Sequence, residues 1–446
     1  MKPLQFISRC LFDKSYITRR RREGSFKMQD YLKISLILST FGLLKETRPS
    51  ESFIADFIVD FKNITAEQIN QDIFPIGTYS YLVQLIIIFL VTDMLRYKPL
   101  IILLGASGVT IWSMLLWTNS VLGLQFVEVI YGTYCATEIA YYSYIYAKTE
   151  REHYQAVTSH TRAAILVGRF VAGVSSQLLV FFHVMNYRQL NYLTLITQIL
   201  AFVWAFFIPR VETSTYFNRN TGGKWSETFR RSQILEAFNL IWNHFRTSYA
   251  NKVVVLWSIY YAVVLCFNIQ ITAYIQILWM SIDDSQEVIY NGAVDAILTL
   301  LGACFAILAG KIHINFLKKS MHSLLVLILM SSVQGVFVVL AANSQTLLAC
   351  YIFYICFGAS YAFGITICAT EIAKNLAEDT FGLVFGFNTL IALTLQTAVT
   401  LSVVSYGFQL SPSGQYQVYG YAYVVLAAVY LVTLFVDIMR RSIRRV

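Results

Sequence analysis

Several stretches of this chain contain no Asp, Glu, Lys or Arg, among them residues 99–127, 320–370 and 380–436. A helix crossing the hydrocarbon layer needs about 20 mostly apolar residues, so each of these three is long enough for one or two crossings. Turn signals divide the longer ones. Residues 320–370 break at Ala341-Ala342-Asn343-Ser344-Gln345, and 380–436 break at Ser411-Pro412-Ser413-Gly414. Hydrophobic residues make up 57% of the 446 positions and charged residues 13%. Soluble domains have about 45–50% and 25%, so this chain lacks the charge to clothe a water-facing surface. Only 6 prolines and 22 glycines exclude collagen-like and Pro/Gly-rich disordered classes. The remaining class is an all-α integral membrane protein.

The pattern predicts twelve transmembrane helices, near 31–47, 74–94, 99–119, 121–147, 157–183, 188–208, 253–279, 288–309, 320–342, 345–373, 380–404 and 416–438. The long, basic 210–252 loop divides them into two six-helix halves, 31–209 and 253–439, flanked by basic tails at 1–30 and 440–446. Such a layout predicts paired halves with a binding site between them near the midplane. No sequence repeat is visible, so the symmetry rests on layout alone.

The net charge of +9 sits in short clusters between apolar runs, as orientation signals do, and not in a nucleic-acid-binding face. Lys14, Arg19 to Arg22 and Lys27 precede the first span. Arg96 and Lys98 lie in the 2–3 turn, Lys148 and Arg151 in the 4–5 connection, and Lys311, Lys318 and Lys319 in the 8–9 turn. The alternate loops are poor in Lys and Arg, and the 7–8 loop holds Asp283, Asp284 and Glu287. Both termini are therefore expected in the cytoplasm. Asn63-Ile64-Thr65 is a glycosylation sequon in the 1–2 loop, on the side this rule puts outside. No cleavable signal peptide is visible, and the first span reads as an uncleaved anchor.

The seven cysteines include no CxxC pair, and the six histidines are scattered, so neither a disulfide framework nor a metal site is indicated. Gly222-Gly223-Lys224-Trp225 and Gly310-Lys311-Ile312 lack the spacing and hydroxyl of a P-loop. No HExxH or GxSxG occurs, and no enzyme or cofactor is expected.

Ionisable residues at membrane depth are costly and mark function by default. They are Glu128 and Glu138 in the fourth span, Arg169 in the fifth, Asp295 in the eighth and Glu371 in the tenth. Lys45, Glu46, Glu51, Asp93 and Arg162 lie near span ends. Tyr131, Glu138 and Tyr142 share one helical face, with Glu128 a turn before Tyr131. Carboxylates interleaved with tyrosines suit an organic cation, through charge pairing and ring-face attraction. A structural alternative pairs Glu138 with Arg169. Arg169 itself either binds a substrate carboxylate or phosphate, or neutralises Glu371 or Glu138. Glu371 is either a gate or proton acceptor, or a partner of Lys374 or Arg169. Asp93 and Arg96 are expected to form a gating or packing pair across the 2–3 turn.

Several ordered motifs resemble one family. They begin with Phe41-Gly42-Leu43-Leu44-Lys45-Glu46-Thr47-Arg48-Pro49-Ser50-Glu51-Ser52-Phe53. Thr78-Tyr79-Ser80-Tyr81, Thr92-Asp93-Met94-Leu95-Arg96-Tyr97-Lys98-Pro99, Ala140-Tyr141-Tyr142-Ser143-Tyr144-Ile145-Tyr146 and His153-Tyr154-Gln155 follow. The second half adds Gln276-Ile277-Leu278-Trp279, Tyr290-Asn291-Gly292-Ala293 and Leu383-Val384-Phe385-Gly386-Phe387-Asn388-Thr389. From about 30 to 438 the chain resembles the reduced folate carrier and thiamine transporter family. The resemblance implies a major-facilitator-like fold and carriage of a water-soluble vitamin across the plasma membrane.

Folate-type members of that family place cations where this chain has Glu138, Gly358 and Gln396. Thiamine-type members resemble it in having Glu at 138, which implies thiamine, an organic cation, as the small-molecule substrate. By the same resemblance Tyr131 and Phe74 contact its rings, and Glu128, Glu51 and Asn291 line the site. The chain departs from thiamine-type members in having Gly77 in place of a Trp, and Arg169 in place of an aromatic residue. These departures leave open a weaker thiamine carrier, a carrier of pyridoxine, or one that takes thiamine phosphate through Arg169. The runner-up is a carrier of folate or another organic anion, using Arg169 and Arg162. Protons as a coupling ion and plain facilitated diffusion are both compatible with the residues.

Overall fold

The computed structural model describes residues 31–149, 153–211, 231–282, 289–311, 320–376 and 380–443. The basic tail 1–30, residues 444–446 of the closing cluster, the central segment 212–230 and the acidic 283–288 loop lie outside the described residues, as does the Asp93 side chain and with it the predicted pairing to Arg96.

The first half begins with α1 (31–46). Then come the short α2 (Ile54–Lys62) and the spans α3 (Phe74–Met94), α4 (Lys98–Trp117), α5 (Val121–Lys148), α6 (Tyr154–Phe181) and α7 (Tyr187–Ala205). The linking helix α8 (Arg231–Tyr249) leads to the second half: α9 (Lys252–Ile282), α10 (Asn291–Lys311), α11 (Ser320–Ala342), α12 (Leu347–Lys374), α13 (Phe381–Val399) and α14 (Pro412–Ile443). Twelve of these are the predicted spans. The other two helices lie in the connections between predicted spans. In the 1–2 loop, α2 carries an apolar face, with Phe57 and Ile58 buried. Residues 231–249 of the central loop form α8, anchored by Tyr249 donating to Asn388 at 2.7 Å.

Local chemistry fixes the helix ends. Ser120 caps α5 by accepting from the Gly123 amide at 3.1 Å. Asn186 and Gln189 form a reciprocal capping box on α7. Pro99 and Pro412 occupy first-turn positions, where the missing N–H costs nothing. The turn between α3 and α4 is tight enough to hold Arg96 and Tyr97 at φ 57° and 66°, the left-handed region that non-glycine residues rarely occupy.

The two halves repeat one packing scheme that the sequence does not display. In the first half α3 packs on α5, α4 on α5, and α4 on α7. The corresponding helices of the second half do the same: α10 on α12, α11 on α12, and α11 on α14. The halves meet along two related seams, α6 with α10 and α3 with α13. At the first seam Gly173 and Gly292 let the backbones touch. A Cβ on Gly173 would stand 2.7 Å from the Gly292 carbonyl, and one on Gly292 would stand 2.8 Å from that of Gly173. Without a hydrophobic force between helices in lipid, such close packing supplies the attraction.

The bundle has a proximal end, where α1 begins and α14 ends, and a distal end, which carries the 1–2 loop. A belt of hydrogen bonds joins the halves at the distal end. Gln276 donates to the Glu51 carbonyl at 2.9 Å and accepts from the Ala55 amide at 3.0 Å. Gln177 donates to the Ile289 carbonyl at 2.9 Å and accepts from the Ala293 amide at 3.1 Å. Tyr79 donates to Ser405 at 3.0 Å. Ser405 ends a π-helical turn, Thr400–Ser405, that continues α13.

Candidate functional site

The site is built where α1 stops. Lys45-Glu46-Thr47-Arg48-Pro49 ends the first apolar run, and Pro49 cannot continue a helix. The chain unwinds at membrane depth, which is tolerated only if its backbone groups find partners inside the protein. They do. The Lys45 carbonyl accepts from Gln198 at 3.1 Å, and the Thr47 carbonyl accepts from Thr197 at 2.6 Å. The Ser50 amide donates to Thr194 at 3.0 Å, and its hydroxyl accepts from the Trp112 indole at 2.9 Å. Polar residues of α7 and α4 thus hold the break open.

The side chains of that break form one ionic chain. Lys45, Glu46 and Arg48 are all buried. Lys45 donates to Glu138 of α5 and lies 2.6 Å from Glu46. Glu46 pairs in turn with Arg169 of α6 at 2.7 Å and with Arg48 at 3.1 Å, and Arg48 reaches Glu51 at 3.1 Å. Aromatic faces complete the shell. Arg48 stands over Trp112 at 5.8 Å and Tyr134 at 5.6 Å, and Lys45 over Tyr134 at 5.6 Å. Burying ions is expensive unless each is paired and hydrogen-bonded, and here Lys45, Arg48 and Arg169 balance Glu46, Glu51 and Glu138.

This corrects two expectations. Glu138 pairs with Lys45 and not with Arg169. Arg169 pairs with Glu46 and not with Glu371 or Glu138, while Glu371 takes Lys374 at 3.1 Å. The unwound end of α1 is the reason. It places a cation and an anion, adjacent in sequence, between α5 and α6.

Two carboxylates lie beyond the balanced set. Glu128 projects from α5 toward α3, and a Cβ at Gly77 would overlap its carboxylate. Gly77 therefore makes room for that group. Asp295 of α10 accepts from Ser52 at 2.6 Å and stands within electrostatic reach of Glu51 and Arg169. Among the described residues neither Glu128 nor Asp295 has a salt bridge. Tyr131 stacks on Tyr134 at 6.2 Å, within electrostatic reach of Glu128 and Glu51. Phe74 packs against both cores and meets the Tyr274 ring edge-on at 6.0 Å. Glu128, Tyr131, Phe74 and Tyr274 thus gather at the boundary between the halves.

The other candidates are placed as follows. Tyr142 donates to Glu138 at 3.4 Å and is 37% exposed. The Arg169 side chain is 51% exposed although Glu46 holds its Nε. Arg162 is exposed on α6, within reach of Tyr261 of α9. Asn291 is buried in the distal belt, donating to Asp56 at 3.2 Å and accepting from Tyr351 at 2.8 Å. Asn63 ends α2 in the left-handed conformation. Arg48, Trp112, Tyr134 and Ser52 were not singled out from sequence. For Arg48 the signal was present: a third charge beside Lys45 and Glu46 at the end of an apolar run. Trp112 and Tyr134 carried none, because aromatic residues occur throughout the spans.

Paired six-helix halves around an internal, polar, partly accessible site define a membrane transporter of major-facilitator-like architecture. Solved structures agree on the fold. A POT family transporter in complex with a thioalcohol-conjugated peptide matches with a TM-score of 0.64, at 11% identity, over 89% of this chain and 95% of that one. A D-xylose–proton symporter matches with a TM-score of 0.62, at 12% identity, over 90% and 97%. The sequence is more specific. The model of the reduced folate carrier family matches residues 29–418, and the chain belongs to that family. Thiamine transporter 1 of Mus musculus is 34% identical over 91% of this chain and 90% of its own. Thiamine transporter 2 of Homo sapiens is 34% identical over 89% and 88%. Folate transporter 1 of Caenorhabditis elegans is 30% identical over 91% and 92%. The chain is a multi-pass carrier, not an enzyme.

Proposed function

We propose that the chain imports thiamine across the plasma membrane by alternating access of its two halves. One observation carries the choice of a cation: beyond the balanced ionic chain, the site keeps two carboxylates, Glu128 and Asp295, that form no salt bridge among the described residues. A cationic ring completes that balance, whereas an anion adds to the surplus. Tyr131 and Phe74 supply faces for the ring. Glu138 serves indirectly, because it holds Lys45 and keeps that ammonium from repelling the substrate. The names of the similar thiamine transporters support the same reading. The charge pattern of the loops supports cytoplasmic termini and an extracellular Asn63.

A second reading rests on Arg169. Its half-exposed guanidinium offers its Nη groups to a substrate phosphate or carboxylate, which favours thiamine phosphate or a folate-like anion.

Parallel uptake of labelled thiamine and labelled folate by cells expressing the chain decides between them. Saturable thiamine uptake, abolished by excess unlabelled thiamine and reduced about 10- to 100-fold by Glu128→Gln, is the expected result, since a hydrogen bond to a charged group is worth about 1.5–3 kcal/mol. Folate uptake without thiamine uptake overturns it. Repeating the assay at mildly acidic and neutral external pH reads out proton coupling.

A further inference from the structure

Helix α8 carries an aromatic stripe: Phe238, Trp242, Phe245 and Tyr249 fall on one face at helical spacing. Its C-terminal part packs on α13, Phe245 against Phe387 at 4.7 Å and Tyr249 against Phe387 at 5.6 Å, and Trp242 stacks on Phe245 at 5.8 Å. Further back, Phe238 is 47% exposed and Trp242 62%. Between this stripe and the bundle runs a groove of about 490 Å³, walled by Phe89 of α3, Leu383 and Phe387 of α13, and Phe238, Trp242 and Phe245. That volume lies within the range of small-ligand sites, roughly 300–1,000 Å³. Phe89 and Leu383 stand near the proximal ends of two spans, so the groove lies at the edge of the hydrocarbon layer.

We propose that this groove binds the acyl tail of an anionic phospholipid whose headgroup meets Arg246. Three observations select that occupant. The walls are almost wholly apolar, and an aqueous ligand gains little from them. The exposed indole and phenyl rings belong to an amphipathic helix at the boundary level, the setting in which such helices bury aromatic residues in lipid. Arg246 follows Trp242 by one turn, on the same side of α8, and is exposed. The described stretch 238–252 carries Arg246 and Lys252 and no acid. An anionic headgroup complements that charge and a zwitterionic one does not.

The location gives the lipid a consequence. Phe89 belongs to the first half, while Leu383 and Phe387 belong to the second. The wall is the α3–α13 seam, where a Cβ on Gly386 would lie 2.5 Å from the Phe89 ring. A tail seated there touches both halves, so its binding depends on how far they are apart.

The test is lipid retention by the full-length protein. The chain is purified in detergent doped with phosphatidylserine or phosphatidylcholine of identical tails, and bound lipid is counted by native mass spectrometry. Retention of phosphatidylserine over phosphatidylcholine is expected. Arg246→Gln should cut that preference about five-fold, the Boltzmann factor of one basic residue at an anionic surface. Trp242→Ala should lower retention of both lipids. Both side chains are exposed, so the variants fold. Equal retention of the two lipids overturns the proposal, as does an unchanged preference in Arg246→Gln. A photoreactive tail that cross-links away from α8 and α13 overturns it too.

Discussion

The two halves pack their helices in the same order but stabilise their interiors by different chemistry. In the first half the interior polar groups are ions: Lys45, Glu46, Arg48 and Glu138. In the second, Asp295 and the buried Glu371 are charged, but the bonds that tie α9 to α14 are neutral. Tyr416, Tyr423 and Tyr430, each two turns apart on α14, donate to the carbonyls of Ile271, Val264 and Leu256 on antiparallel α9. Gln270 donates to Tyr419 at 3.0 Å and accepts from Thr400 at 3.1 Å. The contrast reaches the helices themselves. All six spans of the second half are apolar enough to qualify as membrane-crossing by composition alone. In the first half α5 and α7 are not, and they carry Glu138 and the residues that satisfy the break after α1. The first half accepts costly buried charges, while α9 and α14 of the second are joined by neutral bonds whose loss costs less.

The sharpest test of this contrast is Glu46→Gln. It leaves Lys45, Arg48 and Arg169 short of one counter-charge, and breaking a buried ion pair from one side costs about 3–5 kcal/mol. Loss of most folded protein, measured by thermal melting of the purified carrier, is expected. Near-normal melting would place the ions in contact with water and dissolve the contrast.

A smaller effect sharpens it from the 1–2 loop. Burial and then the neighbouring Asp60 push the Asp56 carboxyl up to about 7, against lowering by hydrogen bonds that include the one from Asn291. Tyr187 of α7 and Tyr351 of α12 also face this carboxyl. A carboxyl raised in the folded state favours folding most below its unfolded value, and that contribution is lost as pH rises through about 7. The distal belt should therefore weaken from mildly acidic to mildly alkaline pH. Asp56→Asn should flatten the fall in melting temperature across that window, and an unchanged slope would assign the dependence to other groups.

On the neutral side, Tyr423→Phe removes a single 3.2 Å bond to the Val264 carbonyl. A cost of about 1 kcal/mol in stability, with uptake nearly unchanged, is expected. A loss as large as that of Glu46→Gln would erase the distinction between the halves. The smallest effect is that of Asn63→Gln. It should remove a glycan-sized mass difference on gels and leave uptake intact, and an unshifted band would place the 1–2 loop in the cytoplasm.

The spans were legible because length and the absence of charge are local properties. Residues 320–370, for example, held two helices and a turn that could be read from Ala341 to Gln345 alone. The carboxylates Glu128, Glu138 and Asp295 were legible for the same reason: a charge in an apolar run is visible without a fold. Their partners were not. Nothing in sequence brings Lys45 to Glu138, ninety-odd positions away, in preference to Arg169. Asn291 likewise gave no sign that its amide would be engaged by Asp56 and Tyr351. The internal symmetry was equally hidden, since helix pairing in lipid depends on small residues and shape, such as Gly173 against Gly292, and leaves no repeated motif.

By itself the sequence determined that the chain lives in a bilayer, that it crosses about twelve times, and that it carries acids at membrane depth. These follow from the cost of exposing charge or unpaired backbone to hydrocarbon, which every residue incurs where it stands. Only the tertiary structure decided which charges cancel and which remain. Cancellation depends on distances of a few ångströms between helices far apart in the chain, and the break after α1 sets those distances. The surplus at Glu128 and Asp295, on which the choice of a cationic substrate rests, exists only once Lys45 and Arg169 have been assigned elsewhere.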